Sequence, residues 1–163
     1  MHEVAHHLQV EALPKAGTIE GDRYGRSAFN RYYYATFLIV RQGISSMDKK
    51  WNKQDHAGIP GLLTGQVTAA LKLGKTAAAR QRDSELVTLC NRATAAASEL
   101  SKLLEKANEA RKIADYNPEV PIEFRGADRF SLSGIDINTA HAWAPRAKIL
   151  VDTIVDAWRQ VHV

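Results

Sequence analysis

The longest apolar run of the chain lies between Arg26 and Gln42, in the segment RSAFNRYYYATFLIVRQ. Its centre, from Tyr32 to Val40, is apolar or aromatic at almost every position, so no polar face is left for solvent. A helix with this pattern must be enclosed by its neighbours. A buried strand can show a similar run, but the apolar residues recur at helical spacing and no convincing partner strand exists elsewhere. The segment therefore predicts a central buried helix with basic residues at both ends.

Two shorter helices are predicted, one before this segment and one after it. The first runs from His2 to Leu13 and is ended by Pro14, and the glycine-rich stretch 17–25 is expected to be a loop. The second begins within DHAGIPGLLTGQ, and its apolar positions share one face: Leu62, Leu63, Val67, Ala70 and Leu71. Gly74 is expected to cap that helix, and a basic connector follows it.

A pattern of sevens marks the longest predicted helix, which Asp83 or Ser84 can cap. Its apolar residues form two seams, one of Leu86, Ala93, Leu100, Ala107 and Ala114, the other of Leu89, Ala96, Leu103 and Ala110. The alanines in these seams let neighbouring backbones approach closely. The helix is expected to end at Asn117, because the residue before a proline is pushed out of helical geometry.

The remaining chain holds an irregular stretch and a last helix. Residues 118–134 mix prolines, glycines, charges and aromatics, and are expected to form a long loop. The last helix starts at Asp136 or Asn138, and Pro145 predicts either a kink or a true start just before it. Together the elements predict an all-α fold, a four- to five-helix up-and-down bundle, in a single domain over residues 1–163 with its core at about 22–161.

The composition adds little to the predicted fold, but it argues against a disulfide-stabilised protein and against a membrane-spanning one. A net charge of +4 and a pI of about 9.3 suit a nucleic-acid or nucleotide partner, and equally a solvated basic surface. The single cysteine, Cys90, excludes an internal disulfide framework and is expected to be a buried thiol. No apolar run reaches membrane-spanning length, and the first residues lack the apolar core of a signal peptide. We therefore expect a soluble, cytoplasmic protein without a membrane partner.

Two patterns in the sequence look like known motifs, but neither of them predicts a binding site. His2 and His6 are one helical turn apart, a spacing that metal ligands can have, but a metal needs three or four convergent ligands. A solvated helix is favoured, and neither a metal nor a cofactor is predicted. The segment GKT at residues 74–76 imitates the end of a phosphate-binding P-loop, but Ala69 replaces the required earlier glycine and a helix precedes it. A P-loop NTPase is excluded.

Four pieces of the sequence occur in a characteristic order. They are N-R-Y-Y-Y-A in the central helix, D-H-A-G-I-P-G at the start of a short one, A-R-K-I-A-D-Y at the end of the long one, and a last helix. Over about residues 22–161 they resemble HEPN domains, the small all-α domains of prokaryotic toxins, antiviral systems and nucleotidyltransferase partners. The resemblance implies a HEPN-like bundle that forms a homodimer with a cleft between protomers. It also implies a partner protein such as a nucleotidyltransferase or an antitoxin.

Many HEPN domains are metal-independent endoribonucleases. Their signature is an arginine followed by a histidine about four to six residues later, where the histidine moves a proton and the arginine stabilises charge on the phosphate. In this chain no histidine stands at that spacing after an arginine. The matching place holds Arg111 with Asp115 and Tyr116, an R-x-x-x-D-Y arrangement that resembles the nucleotidyltransferase-associated branch. Since aspartate is a weak base and carries no positive charge, the resemblance implies binding without the usual cutting.

Candidate site residues follow from these matches. Arg111 could bind phosphate, with Asp115 fixing its guanidinium and Tyr116 offering a hydroxyl or a stacking face, although the same spacing also allows a simple intrahelical ion pair. His56 is the candidate general base of an unconventional site with Arg111, and bonding within the turn before its helix is the alternative. Four residues near the entrance of the central helix are candidates either for lining the site or for satisfied core groups: Arg26, Asn30, Arg31 and Tyr33.

Three functions stay open. The first is a HEPN-like module that binds nucleotide or RNA in a prokaryotic toxin-antitoxin, phage-defence or nucleotidyltransferase-linked system. The second is a metal-independent endoribonuclease toxin in which Arg111, Arg26 and His56 meet across a dimer. The third is a non-catalytic helical scaffold that docks a partner helix. The missing arginine–histidine spacing favours the first over the second, and the arginines that flank the central helix favour either over the third.

Overall fold

The computed structural model describes residues 1–162, and most of them are helical. The helices are α1 (His2–Ala12), α2 (Ile19–Met47), α3 (Gly58–Leu62), α4 (Thr68–Arg80), α5 (Ser84–Tyr116) and α6 (Ile137–Val161). Turns of 3-10 helix follow α1 (Leu13–Lys15) and α2 (Lys49–Lys53), and a π turn (Leu63–Val67) joins α3 to α4. The strands are β1 (Ile122–Arg125), β2 (Arg129–Leu132) and β3 (Ile135–Asp136). The predicted all-α bundle class is confirmed, with the addition of a small sheet.

The sheet replaces the long loop expected at residues 118–134, so that prediction was wrong. Its strands are antiparallel in the order β1-β2-β3, with Ile122 opposite Leu132 and Leu132 opposite Ile135. Gly126 and Gly134 take positive φ angles of 65° and 77° in the two turns, a backbone conformation that glycine adopts without steric cost. Strands of two to four residues are too short to show the alternation that identifies a strand in sequence.

The loop expected at residues 17–25 is also wrong beyond its first two residues, because α2 begins at Ile19. The Thr18 hydroxyl accepts a hydrogen bond from the Gly21 amide at 3.0 Å and so caps the helix. A Cβ at Gly21 would lie 2.1 Å from the Lys15 carbonyl oxygen, and one at Gly25 would lie 3.0 Å from Ile122. These glycines therefore mark close packing of backbone, and the helix runs through them.

Gly74 has the same role, so its predicted capping role was wrong. It lies inside α4, which continues to Arg80 through the segment expected to be a connector. A Cβ at Gly74 would lie 2.3 Å from the Val161 side chain, so glycine gives α6 room to approach.

The ends of α5 and the start of α6 follow the predictions more closely. Asp83 caps α5 by accepting from the Leu86 amide at 2.9 Å, and the helix ends at Tyr116, just before Asn117. The Asp136 carboxylate accepts from the amide of Asn138 at 2.8 Å, and α6 begins between them. Pro145 lies inside this helix, so a start at the proline is ruled out.

The chain divides into two compact units. Unit 1 consists of residues 1–37 and 106–145, and unit 2 of residues 38–105 and 146–162. Phe29 is central to unit 1, with ring centroids 6.1 Å from Phe130 and 6.5 Å from Trp143. In unit 2 Trp51 packs on Trp158 at 5.2 Å, and Cys90 is buried as predicted. None of the helices described within residues 1–162 combines the length and apolar character that a membrane span needs.

Candidate functional site

Unit 1 contains an open cavity of about 490 Å³, which we call the arginine cavity. Helix α2 and the end of α5 supply its walls: Arg23, Arg26, Ser27, Asn30 and Arg31 from α2, and Ala114 and Asp115 from α5. The structure thus brings together four of the predicted site residues, Arg26, Asn30, Arg31 and Asp115. The spacing of α2 explains why, because residues four apart on a helix share one face, as Arg23, Ser27 and Arg31 do.

The guanidinium of Arg26 is hydrogen-bonded to other groups of the protein. Its Nε donates to the Asp22 carboxylate at 2.6 Å. Its Nη1 and Nη2 atoms donate to the carbonyl oxygens of Ile113 (3.4 Å), Ala114 (3.3 Å), Asn117 (3.1 Å), Pro118 (3.2 Å) and Val120. The last carbonyls of a helix have no partner within it, and a guanidinium satisfies several of them at once. Asp22 also accepts from the Ile122 amide at 2.9 Å. We call this arrangement the arginine clasp.

The clasp changes the expected role of Arg26. Every N–H of its guanidinium points at a protein oxygen, so the residue lines the arginine cavity but offers no donor to a ligand. Arg26 instead fixes the end of α5 and the start of β1 against α2. The geometry does not support the prediction that Arg26 binds a ligand directly.

Arg111 and Asp115 form the predicted intrahelical ion pair, with Nη1 3.3 Å from the carboxylate. Two further contacts hold the arginine: its Nε and Nη2 donate to the Asn108 side chain at 3.3 and 3.1 Å, and its guanidinium carbon lies 5.6 Å from the centre of the Tyr33 ring. Asp115 also accepts from the Asn30 amide at 2.8 and 3.1 Å. The carboxylate in the cavity wall is therefore neutralised by a cation and bonded across to α2.

Arg23 and Arg31 differ from these bound groups. Both side chains are exposed, and within residues 1–162 neither has an ion-pair partner. The arginine clasp and the Arg111–Asp115 pair each balance one positive charge with one negative charge. The arginine cavity is therefore left with two unbalanced positive charges on one face of α2, and this balance of charge favours an anion over a cation.

The two predicted tyrosines stand apart from the cavity lining. Tyr33 is only 1% exposed, stacks on Phe37 with ring centroids 6.2 Å apart, and has the guanidinium of Arg111 5.6 Å from its ring centre. Tyr116 is 71% exposed at the end of α5 and does not line the cavity. Within residues 1–162, neither tyrosine is among the residues that line the arginine cavity.

His56 belongs to unit 2, whereas Arg111 belongs to unit 1. It lies in the turn before α3, which the Asp55 carboxylate caps by accepting from the Gly58 amide at 2.8 Å. Neither compact unit brings His56 together with Arg111, so a catalytic pairing of the two stays a prediction.

Two lining residues, Arg23 and Ser27, were missed in the sequence. Arg23 lies two turns and Ser27 one turn before Arg31 on the same face, and that spacing was the available signal. This spacing was not recognised because the glycines around Arg23 suggested a loop, and residues four apart share a face only in a helix.

A second polar cluster in unit 1 is closed to solvent at its centre. The buried Tyr32 hydroxyl donates to the Gln9 side-chain oxygen at 2.5 Å and accepts from Nδ1 of His141 at 2.8 Å. His2 donates through Nε2 to the His141 carbonyl at 3.0 Å, and the His2 and His6 rings lie 4.7 and 5.2 Å from the His141 ring. We call these five residues the histidine–tyrosine cluster, and it fixes α1 to α2 and α6 within unit 1.

Burial shapes the titration of the histidine–tyrosine cluster. It raises the pKa of Tyr32 to about 12. It also lowers the pKa of His141, and the neighbouring charges of His2 and His6 lower it further. Among the residues that the structure describes, no three His, Cys, Asp or Glu side chains converge in a way that could hold a metal ion.

Comparisons with known proteins return no relative. No protein-family model matches the chain, and neither a curated protein nor a solved structure matches it. The likeness to HEPN domains therefore rests on the quoted residues alone.

Proposed function

We propose that the protein is a HEPN-like binding module for phosphate groups of a nucleotide or RNA, with the arginine cavity as its site. One observation carries the proposal: Arg23 and Arg31 lie on one face of α2, exposed and without an ion-pair partner within residues 1–162, beside a carboxylate that is already neutralised. A guanidinium presents a planar fork of donors that matches phosphate oxygens, so two unpaired forks in one cavity favour a phosphate-bearing ligand.

The spacing suits a ligand with more than one polar contact. Arg23 and Arg31 are eight residues apart, which is about 12 Å along the helix axis, and Ser27 lies between them. The Ser27 hydroxyl can donate to a phosphate oxygen in the middle of this row.

Binding without cutting is the favoured form of the proposal. Metal-independent cleavage needs a group that removes the proton of the 2′-hydroxyl, most often histidine. Within residues 1–162 the lining of the arginine cavity includes no histidine. The wider setting that we propose is a cytoplasmic homodimer in a toxin-antitoxin, phage-defence or nucleotidyltransferase-linked system, with a nucleotidyltransferase or an antitoxin as partner protein.

The test compares the wild type with the double variant Arg23→Ala/Arg31→Ala. We expect each arginine to contribute about tenfold to the affinity for a short labelled RNA or for a nucleotide, measured by fluorescence anisotropy and calorimetry. The matched control is Arg92→Ala, which removes an exposed arginine from a helix of unit 2 and should leave affinity unchanged. Equal affinity of the double variant and the wild type would overturn the proposal.

An RNA-cleavage assay without metal separates binding from catalysis. We expect the RNA to stay intact. Cutting that disappears in His56→Ala would support the ribonuclease hypothesis in place of the binding module.

A further inference from the structure

A smaller cavity of about 270 Å³ adjoins the arginine cavity in unit 1. Leu8, Glu20, Arg23, Tyr24 and Ser27 line it. Arg23 and Ser27 line both cavities, so their side chains form the wall that the two share. A ligand held at this wall can reach into both spaces.

The chemistry of the two cavities differs. The arginine cavity is lined mainly by arginine and amide groups, whereas the smaller one offers the half-buried Tyr24 ring, the half-buried Leu8 side chain and the exposed Glu20 carboxylate. Aromatic rings stack on nucleobases, and carboxylates accept hydrogen bonds from ring and exocyclic N–H groups of a base. Phosphate offers neither a face for stacking nor an N–H donor.

The Tyr24 ring is already used as a cation acceptor. The Lys15 ammonium lies 4.7 Å from its centroid and is held there by Glu11 at 3.2 Å, with Glu20 at 4.0 Å. The Tyr24 ring and the Glu20 carboxylate therefore both lie close to one ammonium group, in the lining of the smaller cavity. A ring ordered in this way loses little conformational freedom when a base stacks on it.

We propose that the smaller cavity is a base-binding subsite, so that the ligand is a nucleoside phosphate with its base at Tyr24 and Glu20. Its phosphate lies at the shared wall, on Arg23 and Ser27, and a second phosphate reaches Arg31. The inference rests on the proposed function and names its ligand class. A free nucleotide and a nucleotide within RNA share this chemistry, and the experiment distinguishes them.

The experiment measures calorimetric affinities for GMP and ribose 5-phosphate and for a short guanine-containing RNA. We expect the wild type to bind GMP about tenfold more tightly than ribose 5-phosphate, the fold-change of one base stacked on one aromatic ring. Tyr24→Leu should remove that preference, whereas Tyr24→Phe, which keeps the ring, should retain it. Thermal unfolding of both variants shows whether the fold is intact.

The outcomes separate the two proposals. If Tyr24→Leu weakens GMP alone, the source is a free nucleotide, and if it weakens the RNA as well, nucleotides within RNA are also bound. Equal affinity for GMP and ribose 5-phosphate in the wild type, with both lost in Arg23→Ala/Arg31→Ala, would overturn the base-binding subsite and leave the phosphate site standing. Binding that survives the double arginine variant would overturn the proposed function instead.

Discussion

The first half of α2 uses the same residue type in two opposite ways. Arg26, whose side chain is only 13% exposed, donates all its N–H groups to a carboxylate and to carbonyls at the end of α5 and just after it. Arg31, five residues later, is exposed in the arginine cavity and has no ion-pair partner within residues 1–162. We call the surroundings of Arg26, where protein groups take up its hydrogen bonds, the sealed region. The arginine cavity around Arg31 is the open region.

The difference teaches that an arginine's role is set by the acceptors that face it. We count the histidine–tyrosine cluster with the sealed region, because there too the hydroxyl of Tyr32 both donates and accepts a hydrogen bond within the protein. We therefore expect substitutions in the sealed region to change the free energy of unfolding. Substitutions in the open region should change affinity and leave stability nearly unaltered.

The largest effect is expected for Arg26→Ala. It takes the guanidinium away from five carbonyls and from the Asp22 carboxylate, which keeps the Ile122 amide, and this should lower the free energy of unfolding by about 3 kcal/mol. Urea denaturation measures this, with Arg23→Ala as the control that should cost little. Arg26→Lys should recover only a small part, because an ammonium cannot reach the same set of oxygens. A stable Arg26→Ala protein would erase the contrast between the two regions.

A smaller loss is expected for Tyr32→Phe. The buried hydroxyl joins Gln9 to His141, and its removal should lower the free energy of unfolding by about 1.5 kcal/mol. Burial raises the pKa of Tyr32 to about 12, so wild-type stability should fall as pH rises from about 10 towards that value. Tyr32→Phe should lose this alkaline dependence. Tyr24→Phe, which removes a hydroxyl from a half-buried residue, is the control; an equal cost for both variants would contradict the role of Tyr32.

Acid should weaken the histidine–tyrosine cluster slightly. Burial and the charges of His2 and His6 hold the pKa of His141 below its ordinary value, so the unfolded chain binds the proton more readily than the folded one. The stabilisation is complete above about pH 6.5 and is lost as pH falls through the lowered pKa. Amide hydrogen exchange of α1 measures it. His141→Asn, which can keep a donor near the Nδ1 position, should reduce the pH dependence of amide exchange in α1. An unchanged pH dependence would mean that another group causes the acid sensitivity.

The smallest expected effect is a change in anion affinity in the open region. Asp115→Asn removes the negative charge from the wall of the arginine cavity and should tighten anion binding about threefold. Phosphate or nucleotide titration measures this, with Asp128→Asn, an exposed aspartate at the turn between β1 and β2, as the control for net charge. Weaker binding in Asp115→Asn would show that the carboxylate is needed to orient Arg111 towards the ligand.

Helical periodicity made most of the fold predictable. Most of the apolar run from Tyr32 to Val40 is buried, but Leu38 is 38% exposed, so the expected enclosure on every side is met only in part. Helix α5 starts at the Asp83 cap and stops before Pro118 as expected. The glycines were misread because close packing and a flexible turn both require a missing side chain. Only coordinates show that Gly21 faces the Lys15 carbonyl and that Gly74 faces Val161.

The site was predictable in part. The one-turn spacing of Arg111 and Asp115 predicted their pairing, and the structure adds the Asn30 bond from α2. Whether Arg26 or Arg31 is open to a ligand depends on residues about ninety positions away, since the carbonyls that bind Arg26 belong to residues 113–120. No local pattern in the sequence carries that information.

The π turn at Leu63–Val67 has a consequence for the buried side of its helical segment. Ile59, Leu63, Val67 and Leu71 are all buried and recur every four residues, so in an ordinary α-helix each would be rotated by about 40° from the one before. The wider turn takes up the accumulated rotation and keeps the row in phase. Deleting the exposed Gly65 should therefore close the wide turn to an ordinary α-helical one and leave the buried row in phase, because eleven residues at about 100° each end only about 20° from three full turns. Gly65→Ala, whose added Cβ meets no atom within 4 Å, should also be accepted.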